Sequence, residues 1–300
     1  MFGDMARAVV LVVHAHPDDE VFATGAATIA AHDAGATVHL RLFTGGEGRT
    51  SGLTEAELDA SRQRKETLLS KSIHQLGIDD WAYLSEAGRW TDTPHAPDLT
   101  IAQAPVDALG ASVANAIATL RPDVLLTVGS DGLTGHPDHV ACHRAVQRAL
   151  DISDHAPPVA LGAVLDRHAV REAHERATSV LRCEVGSGRV TGVDLGPRVV
   201  TVTGPPGTEE RRRRALDAYV PGLGTTEPET LSCHRVGAGD SVLLRFVLDS
   251  SGWNRDRFVE LRSHVPQTSP VPHPSSGAGP DSFSLQAQLQ PEVEPQPSQT

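Results

Sequence analysis

Apolar runs of strand length alternate with longer amphipathic segments along most of the chain. Residues 8–13 read Ala-Val-Val-Leu-Val-Val and contain no polar position, which is typical of a strand buried on both faces of a parallel sheet. Similar runs predict strands at 37–43, 124–128 and 157–164, and amphipathic segments predict helices at 22–34, 55–76, 106–120, 137–150 and 169–181. This alternation indicates an α/β fold with a Rossmann-like, mostly parallel sheet and helices on both faces.

The remaining segments have weaker patterns. We expect an irregular, tryptophan-containing stretch at 81–103, late strands at 199–202 and 242–247, and helices at 211–219 and 253–261. The last 36 residues hold 8 of the 21 prolines and no lysine or arginine, a composition without enough apolar content to offset the entropy of ordering. We therefore predict one domain at 1–264 and a disordered tail, rich in proline, serine and glutamine, at 265–300.

Composition and charge narrow the classes of function. The 26 Lys and Arg against 38 Asp and Glu give a formal charge of −12, which disfavours nucleic acid as a partner. The one basic run, 211–214, follows two glutamates, and we interpret it as a solvated helix face. No apolar stretch approaches the ~20 residues of a membrane span, and three scattered cysteines indicate no disulfide framework. We expect a cytoplasmic protein that does not associate with membranes.

Side chains of the types that bind metal ions follow the first predicted strand. They lie at the carboxyl edge of the sheet, where α/β proteins usually bind their ligands. His16 and Asp19 stand three positions apart across a turn that contains Pro17. An imidazole nitrogen and a carboxylate oxygen can there converge on one cation at about 2.0–2.2 Å. Asp18 remains free for another role, although an aspartate in this place can also serve only as the N-cap of the following helix.

A second cluster, Gly-His-Pro-Asp-His at 135–139, follows the predicted strand 124–128 after a short loop. Both clusters then lie at the same edge of the sheet. Two histidines and one carboxylate with an open fourth position are typical of a catalytic zinc site. The alternative is that His136 and His139 are capping or turn residues.

The two motifs resemble those of the zinc-dependent GlcNAc deacetylases known as LmbE-like or PIG-L-like proteins. Ala-His-Pro-Asp-Asp-Glu stands at 15–20 and Gly-His-Pro-Asp-His at 135–139, and a weaker likeness reaches Ala-Leu-Asp-Ala-Tyr at 215–219. The resemblance implies zinc, with iron(II) suiting the same ligands. It also implies a role for each motif residue: His16, Asp19 and His139 as metal ligands, Asp18 as general base, His136 as the group that stabilises the oxyanion or protonates the leaving amine, and Asp138 as the carboxylate that holds the His136 ring.

Substrate contacts are also implied by the resemblance. Glu47 and Asp92 match positions near the sugar, although Glu47 can equally be an ordinary turn carboxylate. The family places an arginine on the long helix, where this chain has Lys65 flanked by Arg62 and Arg64. We choose Arg62, because a guanidinium makes bidentate contacts that lysine cannot reproduce. Thr134 stands where mycothiol-pathway members carry a tyrosine.

These residues suggest a metal-dependent hydrolase that removes the acetyl group from an N-acetylglucosaminyl small molecule, either a GlcNAc-inositol-like compound or a sugar of an antibiotic pathway. The first alternative is an amidase that cleaves a larger amide, such as a mycothiol S-conjugate. The second is a Rossmann binding module without catalysis, which predicts a Gly-x-Gly-x-x-Gly turn after the first strand. His-Pro-Asp-Asp-Glu occupies that turn instead. A relative that keeps its ligands but has lost its substrate is a further possibility.

Overall fold

The computed structural model describes residues 5–46, 54–92 and 100–261. Seven strands form one sheet in the order β3-β2-β1-β4-β5-β7-β6. They are β1 Val9–His14, β2 Thr37–Leu42, β3 Asp80–Tyr83, β4 Val124–Val128, β5 Val159–Ala163, β6 Val200–Thr203 and β7 Arg255–Glu260. The first five are parallel, and β7 pairs antiparallel with both β5 and β6.

Helices cover both faces of this sheet, so the predicted α/β fold with a mostly parallel sheet is confirmed. They are α1 Asp19–Ala23, α2 Gly25–Asp33, α3 Glu55–Leu76, α4 Val106–Leu120, α5 Gly132–Gly135, α6 Pro137–Ile152, α7 Arg167–Leu181, α8 Thr208–Tyr219, α9 Cys233–Val236 and α10 Asp240–Ser251. Within the described residues, no helix is both long and apolar enough to cross a membrane.

The central strand β1 divides the hydrophobic core in two. Val10 and Val12 point into a core formed with α1–α3, α7, α8 and α10, whereas Leu11 and Val13 point into a core formed with α4 and α6. All four side chains are fully buried. The absence of polar positions at 8–13 therefore has the physical cause that the sequence indicated, since neither face of β1 meets water.

The long helix α3 begins and ends where its sequence predicts. The Thr54 side chain accepts a hydrogen bond from the Glu57 amide, and the Glu57 side chain bonds back to Thr54, which completes a capping box. Gly77 ends the helix in the left-handed conformation, with φ 73°. The predicted helix at 22–34 is instead two helices, α1 and α2, which meet at Thr24 with φ −133°.

Two of the late elements were predicted wrongly. Residues 242–247 belong to helix α10, which is buried from Val242 to Leu248, and an apolar run cannot distinguish a fully buried helix from a strand. Residues 255–260 form strand β7, in which Asp256 and Phe258 are the two buried positions. The buried aspartate obscures the alternation that indicates a strand. The stretch 81–103, expected to be irregular, contributes the last residues of β3.

The basic run 211–214 is not a uniformly solvated face. Arg212 is fully buried and donates hydrogen bonds to the Val21 and Phe22 carbonyl oxygens at 2.6 and 2.8 Å. Its guanidinium also lies 2.8 Å from the buried Asp256 carboxylate. The Arg212 guanidinium thus binds carbonyl oxygens of α1 and a carboxylate of β7. It links the helix that follows the first motif to an antiparallel strand of the sheet. Arg214, in contrast, forms an exposed pair with Glu210.

Cys183 and Cys233 form a disulfide bond between the end of α7 and the start of α9, although their wide separation in sequence indicated no pairing. Cys142 is free and buried. Disulfides persist mainly in oxidising compartments, so this bond does not support the predicted cytoplasmic location, which stays a prediction. The predicted tail at 265–300 lies outside the described residues.

The Arg212–Asp256 pair gives the first prediction. We expect Asp256→Ala to lower the free energy of unfolding by about 3–5 kcal/mol, because it leaves a buried guanidinium without its counter-charge. Urea unfolding followed by circular dichroism measures this change. Arg214→Ala is the matched control and is expected to change the free energy by less than about 0.5 kcal/mol. Equal effects of the two variants would contradict a role for the buried pair.

Candidate active site

A cavity of about 350 Å³ opens at the carboxyl edge of β1 and β4. Its polar wall contains side chains of both motifs, together with Lys65 from α3 and Asp92. The lining also includes Phe22, Leu68, Tyr219, Val220 and Leu244. Since β1 and β4 are parallel neighbours, the loops that follow them meet here, as expected for a ligand site in an α/β sheet.

His16, Asp19 and His139 converge on one point. Nε2 of His139 lies 3.0 Å from Oδ1 of Asp19 and 3.2 Å from Nδ1 of His16, and this Nδ1 lies 4.0 Å from Oδ2 of Asp19. Four-coordinate zinc with ligands at 2.0–2.2 Å places the ligand atoms roughly 3.3–3.6 Å apart. The two distances from Nε2 of His139 are close to this spacing, whereas the 4.0 Å distance ends at the other oxygen of Asp19, Oδ2. His139 thus stands near both other residues at about the spacing of metal ligands. His136 offers a further nitrogen near this point. The ligand atoms of His16, His136 and His139 all lie within 4.8 Å of one another.

The polar partners of the two histidine rings determine which nitrogen faces this point. Nδ1 of His139 lies 3.0 Å from the Gly132 carbonyl oxygen and 3.0 Å from the Thr134 hydroxyl. A carbonyl only accepts, so Nδ1 carries a proton and Nε2, which faces Asp19, is the nitrogen left for a metal. Nε2 of His16 lies 3.1 Å from the Asp138 carboxylate, which leaves Nδ1 of His16 for a metal. Such outer partners are a regular feature of metal-binding histidines.

Asp19 is held by the backbone of the first motif. Its Oδ2 accepts the amide hydrogens of Ala15 and His16 at 3.2 and 3.0 Å, so Oδ1 faces His139. Burial favours the neutral acid, but the adjacent His139 and His16 rings outweigh it and hold the pKa of Asp19 far below its usual range. Asp19 is therefore an anion in the folded protein, as a metal ligand must be.

The surroundings of His16 are strongly anionic. Burial by itself lowers the pKa of His16, but the hydrogen bond to Asp138 and the charges of Asp92 and Asp19 raise it to about 9. These carboxylates stabilise positive charge at the centre of the site. The electrostatics agree with the spacing, because both favour a bound cation.

Asp18 lies beside the three convergent residues and lines the cavity. It occupies the N-cap position of α1 with φ 105°, but its side chain makes no capping hydrogen bond. Burial, together with the charge of Asp19, raises the pKa of Asp18, although Lys65 opposes the shift. The alternative that Asp18 serves only as a helix cap is not what the structure shows.

His136 and Asp138 differ from the predicted arrangement. We expected the Asp138 carboxylate to hold the His136 ring, but it lies against His16 instead. The backbone N–H of Asp138 donates instead to Nδ1 of His136 at 3.2 Å, which caps helix α6. Nδ1 is thus an acceptor, and the ring hydrogen is on Nε2, 3.8 Å from Asp92.

The proposed substrate residues have different positions. Asp92 lines the cavity, and so does Lys65, whereas Arg62 is absent from the lining formed by the described residues. Arg62 donates to Asp59 at 2.6 Å along its own helix. Glu47 lies outside the described residues. The lysine that aligns with the family's arginine is therefore the basic residue that the fold directs into the cavity.

Two other histidines near the motifs have structural partners. His14 is fully buried and lies 3.0 Å from the Thr24 hydroxyl, and burial lowers its pKa to about 4. His143, one turn after His139 on α6, has Nδ1 3.0 Å from the Val128 carbonyl oxygen.

Sequence reasoning missed the contribution of α8 and α10 to the cavity. The only signal was Ala-Leu-Asp-Ala-Tyr at 215–219, which ends at Tyr219.

Comparison with known proteins agrees with the fold and identifies the family. Residues 11–150 match the family model PIG-L, GlcNAc-PI de-N-acetylase. The 1D-myo-inositol 2-acetamido-2-deoxy-alpha-D-glucopyranoside deacetylase of Streptomyces griseus subsp. griseus is 33% identical over 223 residues, which cover 69% of this chain and 68% of that protein. The protein of the same name from Mycolicibacterium vanbaalenii is 38% identical over 161 residues, or 50% of this chain and 56% of the relative. The chain spans about half the length of several further relatives.

The architecture is shared with solved deacetylase structures. The zinc-inhibited form of teicoplanin deacetylase Orf2 has a TM-score of 0.55 at 14% identity, covering 84% of this chain and 98% of that one. The A40926 pseudoaglycone deacetylase Dbv21 has a TM-score of 0.54 at 16% identity, covering 85% and 97%. The fold and the two-motif site define an α/β protein with a candidate metal centre. The chain belongs to the PIG-L family of GlcNAc-PI de-N-acetylases.

Proposed function

We propose that this protein is a metal-dependent N-deacetylase that hydrolyses the acetamide of an N-acetylglucosaminyl small molecule to acetate and a free amine. The observation that carries the proposal is the convergence of His16, Asp19 and His139 beside Asp18, at the wall of a cavity of about 350 Å³. The names of the relatives support the acetamido sugar as substrate class. A GlcNAc-inositol-like compound and a sugar of an antibiotic pathway both fall within this class.

His16, Asp19 and His139 would hold the metal, through Nδ1, the carboxylate and Nε2 respectively. A divalent ion bound there supplies Lewis acidity, which polarises the amide carbonyl and makes water a stronger acid. We propose zinc, because two imidazoles and one carboxylate are typical of catalytic zinc sites. Iron(II) suits the same donors.

Asp18 is proposed as the general base. Its carboxylate lines the cavity next to Asp19 and is free of capping bonds, so it can accept a proton from the attacking water. Its raised pKa makes it a stronger base than an exposed aspartate, which favours proton transfer near neutral pH.

His136 is proposed to stabilise the oxyanion. The amide hydrogen from the start of α6 occupies Nδ1, so the neutral ring presents a hydrogen-bond donor, Nε2–H, to the cavity. A fixed donor aimed at the carbonyl oxygen lowers the barrier when negative charge develops there. Of the two roles left open by the sequence, the tautomer favours this one over protonation of the amine.

We propose that the polar and the apolar residues of the cavity lining bind different parts of the substrate. Asp92 accepts sugar hydroxyl hydrogens and Lys65 supplies positive charge, in the place that the sequence analysis assigned to Arg62. Phe22, Leu68 and Leu244 form the apolar side, which suits the face of a sugar ring. A cavity of this size is at the lower end of small-molecule sites, which favours a compact amino sugar over the larger amide of the alternative hypothesis.

The base assignment predicts the effect of Asp18→Asn. Asparagine tolerates the left-handed backbone but cannot accept the proton, so we expect kcat to fall by ~10²–10⁴. Acetate release measures the rate, and elemental analysis is expected to find the zinc content unchanged. Wild-type turnover by the variant would remove Asp18 from this role.

The ligand assignment predicts the effect of His139→Ala. We expect this variant to lose most of its zinc after dialysis against a weak chelator, because one of three protein ligands is gone. His143→Ala, one turn further along α6, is the matched control and is expected to retain zinc. Full zinc occupancy in His139→Ala would reject the assignment.

The substrate class is tested with a panel of amides and metal-replete protein. We expect acetate release from GlcNAc-inositol or another acetamido sugar conjugate, and little cleavage of amides with bulky acyl groups. Cleavage of the bulky amides alone would overturn the deacetylase proposal and favour the amidase. Binding of acetamido sugars without any cleavage would favour a non-catalytic relative.

A further inference from the structure

We propose that Glu20 is a positioning residue for Asp18 and that it acts together with Ser72 and Tyr219. Glu20 is the last residue of the first motif, and nothing above gives it a role. The proposal rests on the proposed function, because it assumes that Asp18 is the base.

Glu20 accepts hydrogen bonds from three different parts of the fold. Its side chain is fully buried. Oε1 accepts the Ser72 hydroxyl of α3 at 2.8 Å and the Tyr219 hydroxyl of α8 at 2.7 Å. Oε2 accepts the backbone N–H of Asp18 at 2.9 Å. The carboxylate thus ties the turn before α1 to two helices that are distant in sequence.

The bond to Asp18 holds an unfavourable backbone conformation. Asp18 has φ 105° and ψ −22°, a region that non-glycine residues adopt at a cost of about 1–3 kcal/mol and only where the surroundings enforce it. This conformation directs the carboxylate to the cavity and away from the helix cap. Loss of the Glu20 acceptor would let the turn relax and move the base.

The same group connects the base to other parts of the cavity lining. Helix α3 carries Lys65 and Leu68, and Tyr219 is itself part of the lining. Ser72 of α3 and Tyr219 of α8 share one oxygen of Glu20, and the other oxygen accepts from Asp18. Hydrogen bonds of the buried Glu20 therefore fix the position of Asp18 relative to α3 and α8. A displacement of about 1 Å at a reacting group can cost 10²-fold in rate, so this arrangement affects turnover more than binding.

Three variants and one control test the proposal. We expect Glu20→Ala to lower kcat by about 10²-fold with little change in KM or zinc content. Glu20→Gln can turn its carbonyl oxygen to the Asp18 amide and donate to the two hydroxyls, so we expect it to recover at least about tenfold of that loss, the worth of one hydrogen bond. Tyr219→Phe keeps the ring but loses one donor, and an intermediate kcat is expected.

Tyr83→Phe is the matched control. Tyr83 donates to Glu66 of α3 at 2.8 Å and lies outside the cavity lining of the described residues. Tyr83→Phe loses the same kind of bond as Tyr219→Phe, from a tyrosine hydroxyl to a glutamate side chain. We expect its kcat to equal that of the wild type even where its melting temperature falls as far as that of Tyr219→Phe.

A double mutant separates positioning from general damage. In the Asp18→Asn background the base is already absent, so adding Glu20→Ala is expected to leave the residual rate unchanged. A further drop of the same size as in the wild-type background would overturn the inference, as would wild-type kcat in Glu20→Ala.

The outcomes also distinguish this inference from the proposed function. If the wild type releases acetate and Asp18→Asn does not, the proposed function stands, and the Glu20 variants alone decide the inference. If the wild type cleaves no acetamido sugar, both fall together.

Discussion

The contact between Asp19 and His139, 3.0 Å long, is the interaction on which the site depends. It joins the loops that follow β1 and β4, and it requires these two strands to be parallel neighbours. The adjacent imidazole keeps Asp19 ionised in a buried place where it would otherwise be neutral. A cation between the two side chains satisfies both, since it neutralises the carboxylate and uses the lone pair of the imidazole.

Around this contact, hydrogen bonds with the backbone determine which ring nitrogen of His139 and of His136 carries a proton. The Gly132 carbonyl oxygen accepts a hydrogen bond from Nδ1–H of His139, and the Asp138 amide at the start of α6 donates to Nδ1 of His136, which is therefore unprotonated. Two histidines three positions apart thereby present opposite chemistry to the cavity, a lone pair in one case and a donor in the other. Helix caps and loop carbonyls are fixed by the fold, so these tautomers need no titrating partner in the site.

The elements most accurately predicted were those with local causes. The capping box at Thr54 and the glycine at position 77 define α3 without help from the rest of the chain. The error at α10 arose because an apolar run fits a buried helix as well as a strand, and the error at β7 arose because a buried charge broke the alternation. Asp256 can occupy a buried position of the strand because Arg212, 44 positions earlier, supplies its counter-charge. A short window of sequence does not contain both residues.

The sequence by itself determined the α/β class, the central buried strand and the residue types of the two His-Pro-Asp motifs, because strand burial and side-chain chemistry are encoded within a few neighbouring positions. It also indicated that 16, 18, 19, 136 and 139 belong to one site. Only the tertiary structure decided that Asp138 supports His16, that Lys65 and not Arg62 faces the cavity, and that Glu20 bonds to Ser72 and Tyr219. These contacts join residues up to 199 positions apart, and their partners are selected by the packing of α3, α6 and α8 around the sheet.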